Sequence, residues 1–376
     1  MNQVFFDLGV FLYWSEDSMT SKSLTSKGSL IVSNKDELKT LKDIYAVMDP
    51  DIVEMLYALR EAGFSLYVCD IIPVAQTRES VKKLGIAEYF DGFVSGKTEQ
   101  TLARGLNQKC KKDDFGVFVG TEEKIMKAAT KLGMPSVAYG KNWSKAGKTA
   151  FSVALSPLEV EDQVNIALLI HDIVQKTIQN ESRILGIDGI AFAGKKVLAE
   201  KISRYMDLVG QENMTVDLED FHRAVEESYK GEDPVESYYF NGYNNEKLIE
   251  EVLDPYIKDG RIDKKVYCLD TSNDAFINER HYKLSENGVM ILVGTMMYRE
   301  PLIRYFDTTI YVRVDYREAE HRASLMEAPI YGDDPLEVYI EKNIPAQKMY
   351  VARHDPFDKR DFVIDNTNYH RPFFID

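Results

Sequence analysis

The stretch Ile184-Leu-Gly-Ile-Asp-Gly189-Ile-Ala-Phe-Ala-Gly194-Lys195-Lys196 decides how this chain is read. An apolar run leads into two glycines that enclose a loop, and a helix-period segment follows the lysines. A strand that passes into a helix through G-x-x-x-x-G-K is the context in which successive backbone N–H groups and a helix N-terminus cradle a phosphate. The competing reading is an ordinary strand-to-helix turn with two chance glycines. The strand before, the helix after and the lack of another role for Gly189 favour the phosphate loop.

Around this loop lie 376 residues, enough for roughly two to three domains of about 150 residues each. Apolar residues make up 44% and charged residues 28%, so the chain can build sizeable cores and is neither disordered nor collagen-like. A formal charge of -15 works against polyanions, and nucleic acid is therefore not an expected partner. Cys69, Cys110 and Cys268 are odd in number and widely spaced, which suggests neither a disulfide framework nor a thiolate metal site. The opening Met1-Asn-Gln-Val-Phe-Phe-Asp7 lacks the basic region and apolar core of a signal peptide, and the expected setting is cytoplasmic.

Short β-branched or aromatic runs alternate with helix-period segments throughout, the pattern of parallel-sheet α/β domains. In the first half the strands are expected at Val4 to Phe6, Phe64 to Cys69, Phe93 to Ser95, Phe115 to Val119 and Ser136 to Tyr139. Helices are expected at Pro50 to Ala62 and Glu122 to Leu132, closing near Gly63 and Gly133. One long helical pattern, Leu158 to Ile178, reads as a connector over residues 156–182. Its stretch Ile166-Ala-Leu-Leu-Ile170 is too short for a bilayer, so no membrane partner is expected. Ser15 to Ser33 reads as a loop or a vestigial cap.

Beyond the loop, Val216-Asp-Leu-Glu219-Asp220-Phe221-His222-Arg223 resembles the base-bearing segment of uridine kinases. Tyr238-Tyr239 and Tyr243-Asn244-Asn245-Glu246-Lys247-Leu248 resemble their nucleoside-contact region. Val289 to Gly294, Arg299-Glu-Pro-Leu302 and Phe362-Val-Ile-Asp365-Asn366-Thr367 resemble later strands and turns, so the likeness spans residues 183–376. It implies a P-loop kinase fold in which Gly189, Gly194, Lys195, Lys196 and Arg322 face a nucleotide. It also implies that His222, Tyr238, Tyr239 and Asn244 contact substrate, with Glu219 as general base. Departures are marked. Lys196 stands where a metal-binding hydroxyl is needed, Val293 where an acid is needed, and Met326 where a further basic residue is expected. A second cation beside Lys195 could carry part of the Mg²⁺ charge, and Mg²⁺ itself is doubtful.

At the other end, Phe5-Phe6-Asp7-Leu8-Gly9-Val10 resembles the D-x-D motif of haloacid dehalogenase (HAD) phosphatases, with Asp7 as nucleophile. Leu66-Tyr-Val-Cys69-Asp70 resembles the second motif, Lys97 the third-motif lysine, and Val119 to Ala129 the acidic fourth motif. The likeness covers residues 1–155 and implies a reduced or absent cap. Here too the chemistry is edited. Gly9 replaces the acid/base aspartate, Cys69 the phosphate-binding hydroxyl, and Thr121 and Ile125 the metal-holding aspartates. Glu122 and Glu123 either supply a substitute ligand or simply open a helix, where acids favour the dipole. The six histidines form no H-E-x-x-H pair, and no metal site is proposed from them.

Two enzyme-like domains that have each lost metal-holding groups read as a pseudoenzyme. The expected partners are a phosphorylated small molecule or nucleotide, held as an anion, and a protein partner or second copy, in a regulatory or structural role. The alternative is an active nucleoside-type kinase or phosphatase with unorthodox metal or charge ligands. Fold cannot choose between them, because function lives in the site.

Overall fold

The computed structural model describes residues 1–11, 49, 51–111, 114–140, 150–270, 274–325 and 335–375. Ser15 to Ser33 and Met326 lie outside the described residues. The chain divides into two compact units, 1–171 and 172–376, and each is an α/β unit built on a six-stranded sheet.

In the first unit, β1 (Gln3–Phe6), β2 (Ser65–Asp70), β3 (Gly92–Ser95), β4 (Gly116–Gly120), β5 (Ser136–Tyr139) and β6 (Ser152–Ala154) are ordered β3-β2-β1-β4-β5-β6, all parallel. Every residue of β1 and β4 is buried, as central strands covered on both faces must be. The helices α1 (Asp51–Glu61), α2 (Val74–Lys83), α3 (Glu99–Lys109) and α4 (Glu123–Thr130) supply the crossovers. Thr98 caps α3 in a reciprocal box with Thr101, which satisfies two amide donors at the helix start. The connection reverses direction between β2 and β4, on either side of β1. Such switch points place ligands beyond the carboxyl ends of the strands, and Asp7 is the first residue beyond β1.

Helix α5 (Pro157–Gln179) contains the division between the units, which falls after His171. Its first part belongs to the first unit, where the His171 ring lies 5.1 Å from Phe115. No helix among the described residues is long and apolar enough to cross a membrane.

The second unit contains β7 (Ile184–Gly189), α6 (Lys195–Leu208), β8 (Asn213–Asp217), α7 (Val225–Ser228), α8 (Pro234–Asn241) and α9 (Asn245–Leu248). These are followed by α10 (Asp254–Asp259), β9 (Ile262–Asp270), β10 (Ala275–Leu284), β11 (Val289–Val293), β12 (Thr308–Arg313) and α11 (Tyr316–Ser324). The chain closes with α12 (Pro335–Val338), α13 (Ile344–His354), β13 (Phe362–Asp365) and β14 (Phe373–Phe374). The main sheet runs β14-β13-β12-β7-β11-β8, parallel except for the edge strand β14. Its wholly buried strand β7 stands at the switch point, so the glycine loop opens there. Strands β9 and β10 pair as a separate antiparallel hairpin, which the sequence reading does not anticipate. Its charged positions, such as Asp263, Lys264 and Lys283, blur the apolar alternation that marks a strand.

Two helical runs widen by one turn, Ile249–Leu253 and Tyr339–Asn343, each just ahead of a proline at 255 or 345. A proline lacks the N–H that would continue the ladder, and a wider turn absorbs the missing bond.

Candidate functional site

The glycine loop joins β7 to α6 as expected. A Cβ on Gly189 would lie 2.3 Å from the Val312 carbonyl oxygen, so only glycine fits there. Gly194 takes a left-handed φ of 89° at the N-cap of α6. The carbonyls between them are all held by side chains. Lys195 Nζ donates to Ile190 O at 2.6 Å, Tyr339 Oη to Ala191 O at 3.3 Å, Arg322 Nη1 to Phe192 O at 3.2 Å and Asn366 Nδ2 to Ala193 O at 2.7 Å. In a trans peptide the carbonyl and the following N–H point opposite ways, so these bonds turn the Phe192 and Gly194 N–H groups to the other side. Phe192, at φ 61°, stacks edge-on against Tyr339 at 4.8 Å and ties the loop to the helices.

Lys195 is buried, and burial lowers its amine to about 8 against the opposing pull of Asp188, Glu219 and Asp217. Asp188 is fully enclosed. Its carboxylate accepts from Gly189 N at 2.7 Å, Met297 N at 3.2 Å, Tyr298 N at 3.3 Å and the Tyr350 hydroxyl. Burial nonetheless pushes its pKa above the ordinary carboxylate value.

Lys196 is not a free second cation beside Lys195, as the sequence reading expects. Its Nζ pairs at 2.7 Å with Asp217 at the end of β8. Sequence reasoning gives Asp217 no role, although a polar residue ending a strand of the loop's own sheet is the available signal. Arg322 is also committed: it donates to Phe192 O, to Asn366 O at 2.7 Å, to Thr367 O at 3.0 Å and to Glu318 at 2.9 Å. Its guanidinium clamps backbone at residues 192, 366 and 367.

Glu219 accepts from Tyr243 Oη at 3.1 Å and lies 3.1 Å from His222 Nε2, while His222 Nδ1 faces the Gly242 carbonyl at 3.1 Å. Both ring nitrogens therefore face oxygen atoms of the protein. Burial works to raise the Glu219 carboxyl, but His222, Lys196 and Lys195 prevail and hold it at about 2. A carboxylate that acidic is a weak general base, since efficient bases titrate near the working pH.

The remaining residues that the resemblance assigns to nucleoside contact each make contacts within the protein. Tyr238 is buried and stacked on Tyr229 at 5.5 Å. Tyr239 bonds His354 at 2.6 Å and carries the Arg299 guanidinium 4.2 Å from its ring centre. Asn244 caps α9 by accepting from Lys247 N at 3.0 Å.

In the first unit, Asp7 is 1% exposed and both of its oxygens are occupied. Oδ2 accepts from Thr121 N at 2.6 Å and Glu122 N at 3.3 Å; Oδ1 accepts from Thr121 Oγ1 at 3.1 Å and Val10 N at 3.2 Å. Burial raises the Asp7 carboxyl to about 7, aided by Asp70 and Glu122 and opposed by the Thr121 bonds.

Cys69 is the residue that the resemblance places at the phosphate-binding position. It is wholly buried and packs in the core with Phe5, Val94 and Phe118, while Asp70, next along the strand, accepts from Ile71 N at 2.6 Å. Side chains alternate between the faces of a strand, so a core-facing Cys69 turns Asp70 the other way. Lys97 is exposed and makes no ion pair with Asp7. Glu123 pairs with Lys127 at 3.0 Å along α4, the role of a helix-opening acid.

Mg²⁺ does not fit either site. Among the described residues no group of three or more His, Cys, Asp or Glu side chains could hold a metal ion. The positions that the two resemblances assign to it carry Thr121, Ile125, Val293 and Lys196, which offer one hydroxyl, two hydrocarbons and a cation.

No protein-family model matches the sequence, and no curated protein matches it. Solved structures do. The chain is similar to a possible uridine kinase from Bacillus stearothermophilus, at 20% identity and a TM-score of 0.43 over 54% of this chain and 97% of that one. It is similar to a haloacid dehalogenase-like hydrolase from Streptococcus pneumoniae, at 18% identity and a TM-score of 0.31 over 42% and 95%. A predicted phosphatase from Clostridium acetobutylicum gives 19% and 0.32 over 43% and 97%. The chain carries both likenesses. They are likenesses of fold, and the chemistry rests on the residues described above.

Proposed function

We propose that this chain is a pseudoenzyme in which a HAD-like and a uridine-kinase-like domain have lost turnover, and in which the glycine loop binds a phosphorylated small molecule or nucleotide in a regulatory or structural role. The observation that carries this reading is the Lys196–Asp217 ion pair. A cation occupies the residue where a metal-binding hydroxyl is required and neutralises a carboxylate at the end of β8, two strands from β7 in the same sheet. Asp7 supports it: a nucleophile whose oxygens already accept four hydrogen-bonding groups has no lone pair directed at an incoming phosphate.

Anion binding is compatible with the same geometry. The loop keeps its two glycines, its carbonyls are held away, and the buried Lys195 ammonium lies at the start of a 14-residue helix. A phosphate that displaces the Ile190 carbonyl from Lys195 would gain a charge-assisted bond in exchange for a neutral acceptor. A phosphorylated ligand would therefore be held without a metal, and a protein partner would read the occupied state.

The test is isothermal titration of the full chain with ATP, UTP and pyrophosphate in EDTA and in Mg²⁺, alongside an assay for uridine and cytidine phosphorylation. Metal-independent binding without nucleoside monophosphate formation is expected. Multiple turnovers abolished by Lys195→Ala would overturn the reading in favour of an active kinase.

A further inference from the structure

A cavity of about 870 Å³ opens in the second unit between β12, β13 and the segment 357–361. Its size lies within the range of small-molecule sites. Two aromatic pairs contribute walls: Tyr311 meets Phe357 edge-on at 4.6 Å, and Phe362 stacks on Phe374 at 5.2 Å. Such surfaces suit a planar ring, because aromatic groups gain from offset or edge-on contact beyond their buried area.

The charge of the lining reverses that of the whole chain. Against a net charge of -15, the cavity presents Arg313, Lys359 and Arg360. Two acids also line it, and one is already engaged, since Asp361 Oδ2 accepts from both Thr309 N and Thr309 Oγ1 at 2.9 Å. Arg313 is exposed at the end of β12 and makes no ion pair among the described residues. Arg360 is oriented by a bond from Nε to Asp358 O at 2.8 Å and by the Tyr298 ring 4.8 Å away, so its position is set before any ligand arrives. Lys359, with 86% of its side chain exposed, has only a 3.8 Å contact to Asp358.

We infer that this cavity is a binding site for a small planar aromatic anion, the rings receiving its body and Arg313 with Lys359 its negative group. Ile190, the first residue after Gly189, is among the lining residues. The inference does not require that the loop itself hold an anion.

The test compares two probes on the full chain: 8-anilinonaphthalene-1-sulfonate and the uncharged N-phenyl-1-naphthylamine, which keeps the ring system and lacks the sulfonate. Saturable binding of about one sulfonate probe per chain is expected, with the uncharged probe at least about tenfold weaker. Arg313→Ala combined with Lys359→Ala should weaken the sulfonate probe about tenfold and leave the uncharged one unchanged. Both residues are exposed, and an unaltered near-ultraviolet circular dichroism spectrum verifies that the variant is folded. Equal binding of the two probes, binding of several probes per chain without saturation, or indifference to the double substitution would each overturn the assignment.

Discussion

A Cβ built on Gly9 would lie 2.2 Å from Oγ1 of Thr121, and that same hydroxyl donates to Asp7 at 3.1 Å. The two positions are therefore coupled. The glycine at 9 leaves the space that the threonine fills, and the threonine closes over the carboxylate that the HAD resemblance makes a nucleophile.

From this closure, phosphatase activity on small phosphomonoesters is expected to be absent, and Asp7→Asn is expected to leave the background rate unchanged. Mass spectrometry after incubation with a phosphoryl donor checks it directly. A phosphoaspartate trapped at Asp7 would show that Thr121 yields to a substrate.

The same enclosure has a pH signature. Asp7 rises from 3.8 to about 7 on folding, so between those values the folded chain holds a proton that the unfolded chain releases. Its contribution is most favourable below the unfolded value, falls as pH rises and levels off above about 7. For one group this amounts to about 2 kcal/mol between pH 5 and pH 7. Urea unfolding of wild type and Asp7→Asn at those two pH values isolates it: the wild type should lose stability relative to the variant on going to pH 7. Parallel losses would mean that Asp7 does not titrate in that window.

The two loop lysines are expected to differ. A ligand at 100 times its dissociation constant adds about 2.7 kcal/mol, equivalent to a melting shift of about 5 to 10 °C for a domain of this size. Pyrophosphate in EDTA should raise the melting temperature of the wild type by that order, and Lys195→Ala should abolish the rise. Lys196→Ala should lower basal stability by less than about 1 kcal/mol, because the lysine is 63% exposed and its ion pair is screened. A shift seen only with Mg²⁺ would contradict the metal-free loop.

Arg322 makes a separate prediction about structure. Arg322→Ala leaves the carbonyls of Phe192, Asn366 and Thr367 without their donor, and a loss of about 2 to 4 kcal/mol is expected. Denaturant unfolding measures it. A loss below about 0.5 kcal/mol would mean that water replaces the guanidinium without cost.

The sequence by itself determined the α/β class, the parallel order of short strands and crossover helices, the glycine loop between β7 and α6, and which residue types stand at Gly9, Thr121, Val293 and Lys196. These depend on local properties: apolar period, turn chemistry and which residue type stands at a motif position. What each retained group is bonded to was decided only by the tertiary structure. Lys196 meets Asp217 because β8 ends beside the loop, Arg322 meets Phe192 from 130 positions away, and Thr121 meets Asp7 because β1 and β4 pair in register. The hairpin of β9 and β10 was likewise illegible, since its charged positions mask the alternation until pairing reveals it. Side-chain partners across long separations are set by sheet order and by the burial that makes an unpaired polar group costly, and neither is written in any local window of the chain.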